Sequence, residues 1–248
     1  MRTQLNGYVV ADDDKWLYDW FEIGCFSPAT VREAVANNPA DEDLVLEINS
    51  GGGNAFAGFE IYSILRNAKC HTVAEVQSLA ASAASTVMVG ADSCYLSPVA
   101  QVMIHLPMLS TDGNYHAHEE SISMLNSVTE SILNGYQLKC GSKATREQLR
   151  DLMEQSTWMP AQEAINIGLA DGVLNSGNGS MTVLNAIDCP STADLMAKYE
   201  AAVKDGAQAV PGHDVAVENN SDPTGTEPEN NTTADWQTEA RRQLLQEI

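Results

Sequence analysis

The chain has 248 residues, a formal net charge of −21 and a sequence pI of about 4.3. That length can bury a full core and leave residues for an appendage, whereas the charge argues against a general nucleic-acid binder and against docking on an anionic membrane surface. Cys25, Cys70, Cys94, Cys140 and Cys189 are dispersed with no C-x-x-C pair, which reads as free thiols in a reducing compartment and not as a disulfide framework or zinc site.

In chain order, Met1-Arg2-Thr3-Gln4-Leu5-Asn6-Gly7 lacks the apolar core of a signal peptide. Gly7-Tyr8-Val9-Val10 predicts a first strand, and Ser27-Pro28 opens a helix with serine as N-cap and proline at the first position. Leu44 to Ile48 predicts a buried strand, and Ala57 to Asn67 the next helix. His71 to Val76 is a β-branched strand that leads into the small-residue run Leu79-Ala80-Ala81-Ser82-Ala83-Ala84-Ser85 and then a tightly packed helix. Leu79 to Ala91 is too short and too rich in serine to span a bilayer. Val102-Met103-Ile104-His105-Leu106-Pro107 is an apolar strand stopped by proline.

A long helix follows from about Ala117 to Leu138, with Leu125, Val128, Ile132 and Tyr136 on one stripe. Gly141 is its expected C-cap, and Thr145-Arg146-Glu147-Gln148 is a capping box that starts another helix. Strands alternating with helices predict an α/β fold with a mainly parallel sheet.

Three segments carry chemistry. Ser82 falls at a helix start, where free backbone N–H groups and the positive end of the helix dipole favour developing negative charge. His105 ends a strand 23 residues later, and Gly53 closes the glycine turn of Ile48-Asn49-Ser50-Gly51-Gly52-Gly53 upstream. A nucleophile, a base and an oxyanion site are the parts acyl transfer needs. Each segment alone has a structural explanation: close helix packing, a hydrogen-bonded histidine, a turn that needs positive φ. There is no G-x-S-x-G elbow. The specificity lies in the joint order and spacing.

That order resembles the ClpP-type serine peptidases over roughly residues 4–176. The glycine-turn segment with Ala57-Gly58 and Ile61-Tyr62 is similar to INSPGG…AG…IY. Ala80 to Ser85 resembles the family's nucleophile segment, and Met103 to Pro107 its MIHxP segment. Glu163-Ala164 and Gly168-Leu169-Ala170-Asp171 match the closing EA…GLxD. The Ala-Ala-Ser-Ala-Ala-Ser form, Gly113-Asn114 and Thr157-Trp158 resemble the ClpP-related head maturation proteases of tailed phages.

The resemblance implies a crotonase-like ββα superhelix and a serine endopeptidase that acts without a cofactor or metal. Ser82 would be its nucleophile, His105 its general base, and the Gly53 and Ala83 N–H groups its oxyanion hole. It also implies a homo-oligomeric ring with contacts through the long helix, protein or peptide substrates such as phage scaffold or capsid protein, and a cytoplasmic, prohead-associated location. No phosphate-binding loop is present, so ATP-driven unfolding would need a separate ATPase.

The chain departs from the pattern at the third catalytic residue. The family's acid falls at Ser156, two positions before Trp158. Serine cannot carry the charge that stabilises an imidazolium, although it could hold the ring tautomer by hydrogen bonding. Glu154 is the alternative acid, and Asp151 is a poorer one because it precedes Leu152 and Met153 on the expected helix.

The expected peptidase domain is residues 1–186, followed by a tail of residues 187–248. Ser191-Thr192-Ala193-Asp194 caps a short helix with Leu195, Tyr199 and Val203 on one face. Gln208 to Thr233 reads as an acidic disordered linker. Trp236, Ala240, Leu244 and Ile248 form a terminal amphipathic stripe, which either docks or stays a transient solvated helix. Two alternatives remain beside the peptidase: a catalytically weak or dead structural subunit, which Ser156 favours, and an acyl-CoA enzyme of the crotonase superfamily.

Overall fold

The computed structural model describes residues 1–174, 192–204 and 207. These residues fall into two compact units, one of residues 1–15 and 24–174 and the other of residues 16–23, 192–204 and 207. In chain order the described elements begin with β1 (Arg2–Val9), a 3-10 turn at Asp12–Asp14, α1 (Lys15–Trp20), β2 (Cys25–Phe26) and α2 (Pro28–Asn37). They continue with β3 (Leu44–Gly53), α3 (Ala55–Arg66), β4 (Thr72–Ala81), α4 (Ala83–Gly90), β5 (Ser93–Leu96) and β6 (Gln101–Ile104). The last are α5 (Tyr115–Cys140), α6 (Arg146–Glu154), β7 (Thr157–Pro160), α7 (Ala161–Asn166), β8 (Gly172–Val173) and α8 (Thr192–Lys204).

In the first unit one sheet runs β2-β1-β3-β4-β5-β8, with β6 paired to β4 and β7 to β6. Every pairing is parallel except β6 with β7. This is the expected α/β class with a mainly parallel sheet. The β-branched and aliphatic runs occupy the sheet centre because both faces are covered. Leu44, Leu46 and Ile48 of β3 are fully buried, as are Ile61 of α3 and Val87 and Met88 of α4. Each such side chain contributes about 1.5–3 kcal/mol by leaving water.

β4 is long enough to serve two partners. Val73–Val76 pair with Ser93–Leu96 of β5, whereas Leu79–Ala81 pair with Gln101–Met103 of β6. Between these halves the β3–β4 register jumps from Ile48↔Val76 to Ser50↔Ala80. The extra residues on β4 turn its second half toward β6, as bulges do. The sequence pattern placed the strand end at Val76. The strand instead continues through Ala81, because β6 supplies hydrogen-bond partners to the small residues that follow.

α5 begins two residues before the expected Ala117, with Asn114 as N-cap, its side chain accepting from Ala117 N, and ends at the expected C-cap Gly141 with φ +57°. Val128, Ile132 and Tyr136 are buried on its inner stripe. Thr145 and Gln148 form the expected reciprocal cap on α6. The short strands β2, β5, β7 and β8 carry no periodicity long enough to read.

In the second unit, the Tyr199 ring of α8 meets Trp16 and Trp20 of α1 edge to face, with centroids 5.1 and 5.0 Å apart. Leu195 and Tyr199 are buried, as their shared stripe predicts. The expected boundary at 186/187, the cap at Ser191, the linker at 208–233 and the terminal helix at 235–248 lie outside the described residues.

Candidate active site

Strand register brings the three chemical segments together. Ala81 of β4 is opposite Met103 of β6, so one or two further residues place Ser82 and His105 beyond the same strand ends. Ser50 of β3 is opposite Ala80 of β4, which sets the glycine turn beside Ser82. The site thus forms at the carboxyl ends of β3, β4 and β6, where parallel sheets present loops and helix N-termini to a ligand.

Ser82 adopts φ +54° and ψ −127° between β4 and α4. Such a backbone costs about 1–3 kcal/mol and persists only when its surroundings fix it. Its N–H donates to Met103 O at 2.9 Å, and its carbonyl accepts from Ser85 N at 3.0 Å. Ser82 is the N-cap residue of α4, but its hydroxyl caps nothing. The sharp turn aims Oγ away from the helix, and Oγ lies 2.7 Å from His105 Nε2. This is the geometry of a strained nucleophile elbow without the G-x-S-x-G sequence. Ala80 and Ala84 stand where that motif has its flanking glycines.

His105 is half-buried, and burial lowers its pKa from the ordinary value by disfavouring the imidazolium. Neutral imidazole, with Nε2 unprotonated, is the form that accepts a hydroxyl proton.

The glycine turn is fixed on both sides. Gly52 N donates to buried Ser50 Oγ at 3.1 Å, and Asn54 N donates to Val9 O at 2.8 Å. Gly53 lies between them with φ +144°, and a Cβ there would come within 2.2 Å of Val9 O. Only glycine fits that conformation and that space. Gly53, Ala83, Ser82 and His105 all line one cavity of about 310 Å³. Ala83 opens α4, so its N–H is one of the four in a helix's first turn without an intrahelical acceptor. The far wall of the cavity is apolar, with Phe59, Met124, Leu125, Val128 and Ile132.

Of the predicted site residues, Ser82, His105, Gly53 and Ala83 come together, and the acids do not join them. Antiparallel pairing sets Ile104 opposite Thr157, so the next step of that register lies between His105 and Ser156. Ser156 is exposed with φ +50°. Glu154 is the exposed last residue of α6, and Asp151 is also exposed on that helix. Among the described residues none of the three is hydrogen-bonded to His105, whose one such bond is to Ser82. What ties α6 to the His105 segment is a backbone bond, Leu106 N to Met153 O at 3.2 Å. Glu154, adjacent to buried Met153, is carried to the solvent side.

Asp171 of the closing motif is structural. It accepts from Cys94 N at 2.7 Å and from Lys139 Nζ at 2.6 Å, joining β5, α5 and the segment before β8. Among the described residues no cluster of three or more His, Cys, Asp or Glu could hold a metal, and no helix is long and apolar enough to cross a membrane.

Comparison with known proteins identifies the family. The Clp protease family model matches residues 33–177, more than half of the chain. The ATP-dependent Clp protease proteolytic subunit 1 of Chlamydia trachomatis serovar D is 31% identical over 184 residues, which cover 66% of this chain and 92% of that protein. The proteolytic subunit of Bdellovibrio bacteriovorus is 31% identical over 150 residues, covering 56% of this chain and 67% of its own length. That of Porphyromonas gingivalis is 27% identical over 135 residues, 54% of this chain and 60% of its own. The chain belongs to the Clp protease family, and its enzyme class is the serine-type endopeptidases.

Proposed function

We propose that Ser82 is the nucleophile of this peptidase and His105 its general base. Ser82 Oγ attacks the scissile carbonyl while His105 Nε2 takes its proton. The carbonyl oxygen becomes an oxyanion that accepts from the N–H groups of Gly53 and Ala83. The tetrahedral intermediate collapses as His105 returns the proton to the leaving amine, and water repeats the sequence to release the acyl group. Losing one oxyanion donor costs about 2.7–4 kcal/mol in such reactions. The observation that carries this reading is the 2.7 Å Ser82–His105 contact in the same cavity as both donors. Ser82→Ala assayed on a fluorogenic peptide tests it: turnover should vanish with the fold intact, and retained turnover would refute it.

The biological setting we infer is phage head maturation. A homo-oligomeric ring in the host cytoplasm, associated with the prohead, would cleave scaffold or capsid protein. The Ala80–Ser85 segment, Gly113-Asn114 and Thr157-Trp158 support that branch. The relatives are named as subunits of ATP-dependent proteases, which favours a second setting in which a separate ATPase delivers unfolded chains. Incubation of the purified protein with scaffold and capsid proteins, with no ATPase present, separates the two. Cleavage at discrete sites supports the first, and cleavage only after an unfoldase and ATP are added supports the second. Sedimentation at micromolar concentration checks the ring, which a monomer mass across conditions would contradict.

A catalytically weak subunit is the remaining reading, favoured by the absence, among the described residues, of a carboxylate hydrogen-bonded to His105. Its signature would be slow phosphonate labelling of Ser82 with no measurable turnover.

A further inference from the structure

Beside its two backbone bonds, the Ser82 segment has a further hydrogen-bonded link, which reaches it from α5. The Ser85 hydroxyl lies 2.5 Å from the Ser82 carbonyl oxygen, and 2.7 Å from the Tyr136 hydroxyl on its other side. A serine hydroxyl has one proton to give. The carbonyl can only accept, so Ser85 donates to Ser82 O and Tyr136 donates to Ser85 Oγ. Ser85 is fully buried and Tyr136 almost so. Burial raises the Tyr136 pKa above its ordinary value, so it keeps the proton it donates. The chain of bonds runs from the long helix to the backbone of the strained residue. Tyr136 also lines the cavity that holds Ser82 Oγ.

We propose that Tyr136 and Ser85 are positioning residues for catalysis: their hydrogen-bonded hydroxyls fix the Ser82 carbonyl, and so hold the φ +54° turn that presents Oγ to His105. Neither hydroxyl touches the reacting atoms. The two act in series: Ser85→Ala removes the hydroxyl bond to the carbonyl, whereas Tyr136→Phe leaves that bond and removes the partner that orients the Ser85 hydroxyl. This rests on the reading of Ser82 as nucleophile.

The test is a double-mutant cycle of Tyr136→Phe and Ser85→Ala, with Ser82→Ala alongside. Each variant is measured for kcat and KM on a peptide, for the labelling rate by a small fluorophosphonate, and for its melting temperature. Tyr136→Phe keeps the ring that lines the cavity, so KM should stay within about twofold while kcat and the labelling rate fall about 10- to 100-fold. Ser85→Ala should fall at least as far, and the double variant should be no worse than Ser85→Ala alone. Three outcomes overturn the proposal: singles that retain full kcat, losses that multiply in the double variant, or losses that match the fraction of protein unfolded at the assay temperature. If Ser82→Ala itself still labels and turns over, the nucleophile assignment has failed instead.

Discussion

Gly52 and Ser82 are in contact through space that only a missing side chain allows. A Cβ on Gly52 would come within 2.7 Å of Ser82 Cβ and of Ala81 O, and Gly52 itself has φ +102°. Real Cβ contacts are not that close, so Gly52→Ala must displace Ser82, strain the turn, or both. Catalysis tolerates little displacement: a misplacement of about 1 Å can cost about 100-fold. Gly52→Ala should therefore lower kcat/KM by about that factor, measured on a short peptide. Activity within twofold of the parent would show that the turn relaxes without moving the nucleophile.

The positive φ of Ser82 should be visible in stability as well as in rate. Glycine adopts this region at little steric cost, whereas a residue with a Cβ does not. Ser82→Gly and Ser82→Ala both delete the hydroxyl and its bond to His105, so their difference isolates the backbone. Ser82→Gly should unfold at a higher denaturant concentration than Ser82→Ala, by about 1 kcal/mol. Equal stabilities would mean that the turn holds no strain.

The pH dependence follows from the burial of His105. Protonated imidazole cannot take the serine proton, so activity falls as pH drops through the His105 pKa. Burial disfavours the imidazolium and moves that pKa down from 6.5. The acid limb of kcat/KM should therefore lie below 6.5, and a limb at or above that value would indicate a charge partner for His105. A stopped pH series with the small phosphonate gives the same limb free of substrate titration.

Position 156 offers the complementary experiment. The β6–β7 register runs from Ile104↔Thr157 toward His105 and Ser156. A carboxylate there would favour the imidazolium in the transition state and raise its pKa. Ser156→Glu should raise kcat/KM more than about tenfold, over 1.4 kcal/mol in transition-state stabilisation, and shift the acid limb to higher pH. Glu154→Gln should leave both unchanged, because Glu154 is exposed and makes no hydrogen bond to His105. If Glu154→Gln abolished turnover while Ser156→Glu did nothing, Glu154 would be the working acid.

The chemistry of this chain was legible where composition and turn signals coincide. The small residues around Ser82, the strand that ends at His105 and the glycine turn at Gly53 all occupy the places their local sequence predicts. Their conjunction was not legible locally. It depends on a register jump in β4 and on β6 pairing with its second half, neither of which leaves a periodic trace. The elbow conformation of Ser82 was hidden for a related reason: the usual flanking glycines are replaced by alanines, and Gly52 across the turn supplies the space. Ser85 and Tyr136 read separately as a packing serine and a core tyrosine. Only the fold brings their hydroxyls to 2.7 Å. The serine at the family's acid position was visible at once, but the exposed place of Glu154, without a hydrogen bond to His105, depends on how α6 ends.

Mapping the adduct of a small fluorophosphonate by mass spectrometry tests the central claim most directly. One modified residue is expected, Ser82, with labelling lost in Ser82→Ala and in His105→Ala. Ser78 and Ser85 should stay clean, since Ser85 is buried and its proton is committed to the Ser82 carbonyl. An active sample labelled at Ser78 or Ser85 with Ser82 unmodified would contradict the claim.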